Sequence, residues 1–522
     1  MKQHSTIDKI SIPEVASDVA NGVLDTMEDA VTHARRLSVT AQYQETGMLP
    51  ERKTIVVLGS GWGSHAFIKV IDVRKYNCIV VSPINHFCFT PMLPSAASGN
   101  VEYRSMTETV RRSNPLVEYV EGSANDIDPV AKTVTVALTP PEKYQRRNEE
   151  AFENDQELQT ISYDQLVVAC GVQVNDKIVP GASKFCYRLK VVEDAVRLRR
   201  ALSSRFERAA RSPKNSSERK RLLTFVVAGG GPTGVELAGE FSDFIKDIGR
   251  NFPGINLDDE ARVILVHSGS QLLQQFDMPQ REEALRALQA QGVEVRLNTR
   301  VGEVFEEHLV FQQNEKKEDI PYGIAVWCAG TAPQPFMETL LDRLPQSARA
   351  GRLVAVDDWL RVRLNDSSIE LGSIMALGDC SRVINDDEVF LPQTAQVASQ
   401  QGAYAARFLN RAYDATLTPP VLNQNAYSSK PLEKAWLNLL RQASNAPKFN
   451  FLNLGILAYV GGGEALAEVK FGDLPLGAYA GSAAYLLWKS VYLTKQVATR
   501  NRVLVTFDWL KCALFGRDIT RL

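Results

Sequence analysis

Apolar residues in this chain gather in short runs that end on glycine, and one such pattern occurs twice. The first run, Thr54-Ile-Val-Val-Leu58, leads into Gly59-Ser-Gly61-Trp-Gly63-Ser64, a helix-like stretch to Val73, and a second apolar run, Cys78-Ile-Val-Val-Ser82. The other copy runs from Leu223 to Ala228, through Gly229-Gly-Gly231-Pro-Thr-Gly234, along a helix from Val235 to Ile245, and into Arg262-Val-Ile-Leu-Val-His267. Strand, glycine turn, helix and strand in that order predict an α/β fold with two Rossmann-like, doubly wound domains. Further apolar strands close on Gly171, Gly330 and Gly378. Polar stretches at 141–159 and 212–221 read as surface loops, and 415–450 reads as loop-rich.

The glycine turn has a specific chemistry. One glycine permits the tight reversal, the next lets backbone approach a pyrophosphate, and the third allows close helix–sheet packing. The helix start adds amides and a positive dipole end for the phosphates. One such motif is weak evidence, but two in matched contexts predict a flavoprotein with one dinucleotide in each domain.

Length and charge narrow the classes. At 522 residues the chain exceeds a single core and predicts two or three domains. A net charge of −2 argues against nucleic acid as a partner. The seven cysteines contain no CxxC and the six histidines no paired spacing, so the thiols read as reduced and no metal site is expected. No apolar stretch reaches the length of a membrane-spanning helix. Residues 13–37 read as a polar amphipathic helix, too acidic for a transit peptide, and therefore as a docking segment unless import uses another signal.

Several segments together carry a family resemblance. VLGSGWGS at 57–64, SPINHFCFTPMLPS at 82–95, VVAGGGPTGVELAGE at 226–240, ALGDC at 376–380, LPQTAQVASQQG at 391–402, LAYVGG at 457–462 and the stretch 487–518 stand in family order. The chain closely resembles the type II NADH:quinone oxidoreductases, in their mitochondrial eukaryotic branch, and has no DxDxDG calcium loop.

The resemblance implies FAD on Gly59, Gly61, Gly63 and Ser64, with Thr90 and Pro91 beside the flavin ring, Gly171 passing close to the cofactor, and Asp379 binding its ribityl or phosphate region. It implies a nicotinamide cofactor, NADH or NADPH, on Gly229, Gly231, Gly234, His267 and Gly330, with Glu236 as the catalytic-site glutamate near the nicotinamide–flavin contact. Gln396 and Gln400, four apart on one helix face, would flank the ubiquinone head group, and Ser399 stands where some relatives have His. The implied reaction is hydride transfer to FAD followed by two-electron reduction of ubiquinone, without proton pumping, at the inner mitochondrial membrane.

His267 departs from the acidic residue that usually binds the adenosine ribose. It suggests relaxed nucleotide choice, with NADPH accepted, against retained NADH specificity or lost nucleotide binding. The aromatic, apolar and basic stretch 483–521 reads as lying in an anionic lipid interface, with Tyr485, Leu486, Leu487, Trp488, Val491 and Tyr492 grouped and Phe507, Trp509 and Leu510 recurring. The same stretch is the expected dimerisation region, for a homodimer or a respiratory assembly.

The expected divisions are an extension at 1–50, FAD domain at 51–185, NAD(P)H domain at 186–335, the rest of the FAD domain at 336–425, and a membrane-association region at 426–522. Three rivals share the plan. A disulfide reductase needs a cysteine pair that the first helix lacks, and a sulfide:quinone oxidoreductase needs cysteines at the flavin. A non-catalytic accessory flavoprotein would explain His267 and Ser399.

Overall fold

The computed structural model describes residues 12–46, 51–140, 157–385, 390–423 and 445–520. Its contacts divide the chain into two compact units. The first comprises Met1–Phe87, Thr109–Val172 and Pro333–Leu452, and the second Cys88–Glu108, Gln173–Ala332 and Asn453–Leu522.

The first unit is built on a seven-stranded sheet. Strand Lys53–Leu58 lies between Tyr76–Ser82 and Gln165–Val168, parallel to both, with Ile374–Ala376 beyond Gln165–Val168. Its residues Ile55 to Leu58 are almost wholly buried, as a central parallel strand covered on both faces must be. Glu118–Asp128 extends the sheet in parallel and then carries two antiparallel strands, Thr133–Leu138 and Leu158–Ser162. Most of the polar 141–159 stretch lies outside the described residues, while Leu158 and Gln159 are strand.

Helix Trp62–Val70 follows the first glycine turn and packs on the Ala395–Asn410 helix. Gly63 and Gly402 make the approach possible, because a Cβ at Gly402 would collide with the Gly63 carbonyl. A long helix, Ile12–Thr46, also belongs to this unit. Four carboxylate contacts fasten it: Arg407 to Asp25 and Asp29, and Arg411 to Asp25 and Glu28, at 2.6–3.1 Å.

The second unit holds a four-stranded parallel sheet in the order Val293–Arg296, Arg262–Val266, Thr224–Ala228, Ile324–Trp327. Helix Pro232–Ile248 follows its glycine turn. The polar stretch at 212–221 is not all loop: Ser217–Leu222 is a helix, started by the Ser216 hydroxyl, which accepts from the Arg219 amide. Strands Gly455–Gly461, Glu464–Phe471 and Leu474–Gly481 form an antiparallel sheet, followed by helices Ser482–Thr494 and Thr499–Phe515. Of the loop-rich region 415–450, residues 424–444 lie outside the described residues.

The Gly63–Gly402 contact makes a direct prediction. Gly402→Val should cost about 3 kcal/mol or more, since the clash is with backbone rather than a movable side chain. A lowered thermal transition and loss of flavin absorbance on purification would register it. Gly254→Val, where a Cβ meets nothing within 4 Å, should change neither.

Candidate active site

The two glycine turns repeat each other bond for bond. The Gly59 amide donates to the Val81 carbonyl at 2.8 Å, and the Gly229 amide to Val266 at 2.9 Å. Ala169 N–H donates to Leu58 O at 2.9 Å, and Cys328 N–H to Ala228 O at 2.8 Å. Gly59 and Gly229 both take positive φ, +108° and +127°, against the neighbouring strand's exit. A Cβ on Gly59 would stand 2.5 Å from the Ala169 carbonyl oxygen. Only glycine serves there.

Gly61 and Gly231 are the N-caps of the two helices, and neither helix start has a side-chain cap. A Cβ on either glycine would meet nothing within 4 Å. Each turn therefore combines clear space, uncapped amides and the positive end of a helix dipole, which suits a pyrophosphate. Ser64 stands where the second turn has Gly234 and is fully buried, so a small side chain packs there without opening the turn.

In the first unit Gly171, at φ +62°, follows the Gln165–Val168 strand. Asp379 is half-buried in the Gly378–Cys380 turn, where its backbone carbonyl accepts from the Gln393 amide at 2.7 Å. Gln396 and Gln400 lie partly buried on the Ala395–Asn410 helix. Gln400 is engaged at both ends of its amide, donating to Leu452 O and accepting from Leu452 N–H, each at 2.9 Å. Ser399 turns its hydroxyl back to the Gln396 carbonyl. Gln401 escaped the sequence reading: it is buried, and its carbonyl accepts the Gly378 amide at 2.6 Å. Its signal was the run of adjacent glutamines, of which helical geometry must turn one inward.

In the second unit Thr90 and Pro91 open a short 3-10 turn, and Gly330 takes φ +73°. His267 directly follows the strand Arg262–Val266, and its ring folds under the glycine turn. Its Nδ1 accepts the Gly230 amide at 3.2 Å, so the ring carries its proton on Nε2. Burial lowers its pKa below that of ordinary histidine. The imidazolium needed to pair with a 2′-phosphate is therefore disfavoured.

Glu236 is buried, and its Oε1 faces the Tyr459 amide at 3.3 Å and the Tyr492 hydroxyl at 3.4 Å. Burial pushes its carboxyl up to about 8 against those hydrogen bonds, and no cation pairs with it among the described residues. One turn on, Glu240 is equally buried yet differs. Burial works to raise it, but Arg517 at 2.7 Å and the hydroxyls of Ser95 and Ser98 prevail and hold it below its usual value. Asp243, a turn further, accepts from Gly462 N–H and the Tyr459 hydroxyl. Tyr459 was not singled out from the sequence, and Tyr492 was read there as a lipid-interface residue.

The reading of the Ser482–Thr494 helix needs correction. Trp488 and Tyr492 are buried and Tyr485 stacks with them: Trp488 lies 4.2 Å from Tyr492 and 5.6 Å from Tyr459 between ring centroids. Trp488 and Tyr492 face Glu236 instead of entering lipid. Leu486, Phe507 and Leu510 are exposed as expected, joined by Val503, Leu514 and Phe515. No described helix is long and apolar enough to cross a membrane, and no metal-holding group occurs among the described residues.

Glu236 predicts a measurable pH dependence of stability. Its folded pKa lies above the unfolded value near 4.5, so its contribution is complete below about pH 4.5 and is lost as pH rises through about 8. Glu236→Gln should match the parent near pH 4.5 and exceed it by on the order of 4–5 kcal/mol by pH 8–9. Parallel melting curves for the two proteins across pH would refute this.

A family model described as pyridine nucleotide-disulphide oxidoreductase matches residues 53–402, and one described as NDH2 C-terminal domain matches residues 453–518. The external NADH-ubiquinone oxidoreductase 2, mitochondrial, of Saccharomyces cerevisiae is 36% identical over 476 residues, covering 90% of this chain and 82% of its own. The external alternative NAD(P)H-ubiquinone oxidoreductase B1, mitochondrial, of Solanum tuberosum is 31% identical, covering 100% of this chain and 98% of its own. Among solved structures, NDH2 from Plasmodium falciparum in complex with NADH superposes with a TM-score of 0.75 at 22% identity, covering 90% of this chain and 100% of that one. The sulfide:quinone oxidoreductase from Aquifex aeolicus reaches 0.57 at 15% identity, covering 89% and 96%, a likeness of fold alone.

Proposed function

Because this chain belongs to the pyridine nucleotide-disulphide oxidoreductase family, in its mitochondrial type II NADH:ubiquinone oxidoreductase branch, we propose that it oxidises NADH and reduces ubiquinone through FAD at the surface of the inner mitochondrial membrane. The observation that carries the reading is the repeated turn, Gly59-Ser-Gly61 and Gly229-Gly-Gly231, each ending on an uncapped helix start. One such cradle in each unit suits one dinucleotide in each.

FAD, when bound, supplies the two-electron relay between the nicotinamide and the quinone. The first turn and Asp379 would hold it, with Gly171 beside it. The second turn, with Gly234 and Gly330, would hold the nicotinamide dinucleotide. Glu236 is neutral at pH 7 with a pKa near 8, so it can hold or release a proton at Oε1 within the working range of an enzyme. Gln396 lies one helical turn from Gln400, and both would line the approach of the quinone head. Gln400 does so through the backbone of Leu452, which its amide fixes.

The exposed apolar residues of the Thr499–Phe515 helix, with Arg500, Arg502 and Lys511 on the same helix, would rest in an anionic lipid interface. A homodimer, or incorporation into a respiratory assembly, completes the proposal.

The neutral His267 favours NADH over NADPH, since it offers a 2′-phosphate no positive charge. Anaerobic titration should bleach the bound flavin with NADH and restore it on adding ubiquinone. kcat/KM should favour NADH by at least about tenfold, and His267→Ala should leave that ratio within about threefold. An NADPH preference, or its loss in His267→Ala, overturns the nucleotide assignment. A flavin bleached by neither nucleotide would return the chain to the accessory-subunit reading.

A further inference from the structure

The long helix Ile12–Thr46 presents its faces in an unusual order. In an amphipathic surface helix the apolar stripe normally faces the protein and the charged stripe faces water. Here the charged stripe is the docked one. Asp25, Glu28 and Asp29 meet Arg407 and Arg411, and the Arg411 side chain is only 5% exposed. Thr32 and Arg36, further along the same face, are buried. Meanwhile Val23, Met27, Val31 and Leu37 are 48–59% exposed.

The exposed stripe has a period. Val23, Met27, Ala30, Ala34, Leu37 and Ala41 follow one another at intervals of four, three, four, three and four, and every one of them is exposed. In the sequence Ala16 and Ala20 extend the same register backwards. This is the 3.5-residue repeat of a coiled-coil seam, with core positions apolar throughout. The docked residues Asp25, Glu28, Asp29, Thr32 and Arg36 fall at the outward positions of that heptad, so docking leaves the seam untouched. From Val23 to Ala41 the exposed seam is about 27 Å long at 1.5 Å per residue.

We propose that this seam pairs with the same helix of a second copy of the chain. The choice of occupant rests on charge and size. Residues flanking the seam are Val19, Leu24, Thr26, Val31, His33, Ser38 and Thr40, with Ser17 before them. None carries a formal charge with histidine neutral, so two identical helices meet without like-charge repulsion, in either direction. Alanine at three of the six exposed core positions would not suit a bulky partner surface, whereas it lets two helices approach closely. A lipid surface would require basic flanks, and no lysine or arginine stands beside this seam, whose helix turns Asp25, Glu28, Asp29 and Arg36 towards its own protein. The basic, bulkier stripe on Thr499–Phe515 is the better lipid contact, so the two surfaces have different occupants. This inference is independent of the reaction proposed above.

The test uses the full chain purified in detergent. Sedimentation mass should show an even-numbered assembly for the parent, halved in Met27→Glu/Leu37→Glu. Val503→Glu/Phe507→Glu should keep the parent mass while losing binding to anionic vesicles. Thermal transitions of the first pair should stay close to the parent's, since both positions are on the surface. As a second measurement, Met27→Cys/Leu37→Cys should give an oxidative cross-link between chains: parallel pairing places each residue against its own copy, and antiparallel pairing centred near Thr32 places 27 against 37. A monomeric parent, an unchanged mass in the glutamate variant, or loss of vesicle binding by that variant at unchanged mass would each overturn the proposal.

Discussion

The approach of Gly63 to Gly402 is the constraint on which the first unit depends. It lets the helix after the first glycine turn lie against the helix bearing the glutamines, with no side chain between. Once they are that close, Gln401 can accept the amide of Gly378, which sets the turn carrying Asp379. Gln400, on the next position, fixes Leu452 by two hydrogen bonds. A buried amide with both partners is worth about 1 kcal/mol per bond, but leaving one unpaired costs more. The geometry around the first dinucleotide turn is thus set by contacts that would all fail together if the helices separated.

In the second unit the organising feature is a row of acids on one helix face. Glu236, Glu240 and Asp243 lie one turn apart, and their fates separate because of what meets them. Glu240 has a guanidinium and two hydroxyls, so it stays charged although buried. Glu236 has an amide, a phenol and aromatic rings, and no cation, so it stays neutral. Environments that push two neighbouring carboxylates apart are a sign of functional chemistry. Here the separation is made by the C-terminal strands and helices, through Tyr459, Tyr492 and Arg517, more than by the dinucleotide fold itself.

The dinucleotide turns were legible in the sequence because their requirement is local. A glycine at positive φ between a buried strand and a helix start leaves its mark within six residues, and both copies carry it. Membership of the family was legible for the same reason, as motifs in order. The orientation of side chains that serve distant partners was not. His267 could be located at its strand end, but its ring's turn towards Gly230 depends on space left by a residue 37 positions away. The aromatic residues of the Ser482–Thr494 helix were grouped by composition, whereas their spacing separates them. Tyr485, Trp488 and Tyr492 share one face at i, i+3 and i+7, and Leu486 lies off it. Helical period, applied there as strictly as at the fingerprints, distinguishes the inward face from the outward one.

The same criterion distinguishes the two exposed apolar stripes. On Thr499–Phe515, Val503, Phe507, Leu510 and Leu514 repeat at four, three and four, as do the residues of the long helix. Period alone therefore cannot assign them. Bulk and charge can: phenylalanine and leucine beside arginine and lysine favour penetration of an anionic interface, while alanine and valine beside neutral polar residues favour another helix. Each stripe remains exposed because its helix is held by other means. Asn501 donates to the Ser105 and Thr107 carbonyls and Asp508 accepts from the Glu102 amide on one helix, and arginine–carboxylate pairs hold the other. Polar anchoring of this kind is weaker per contact than burying the apolar face.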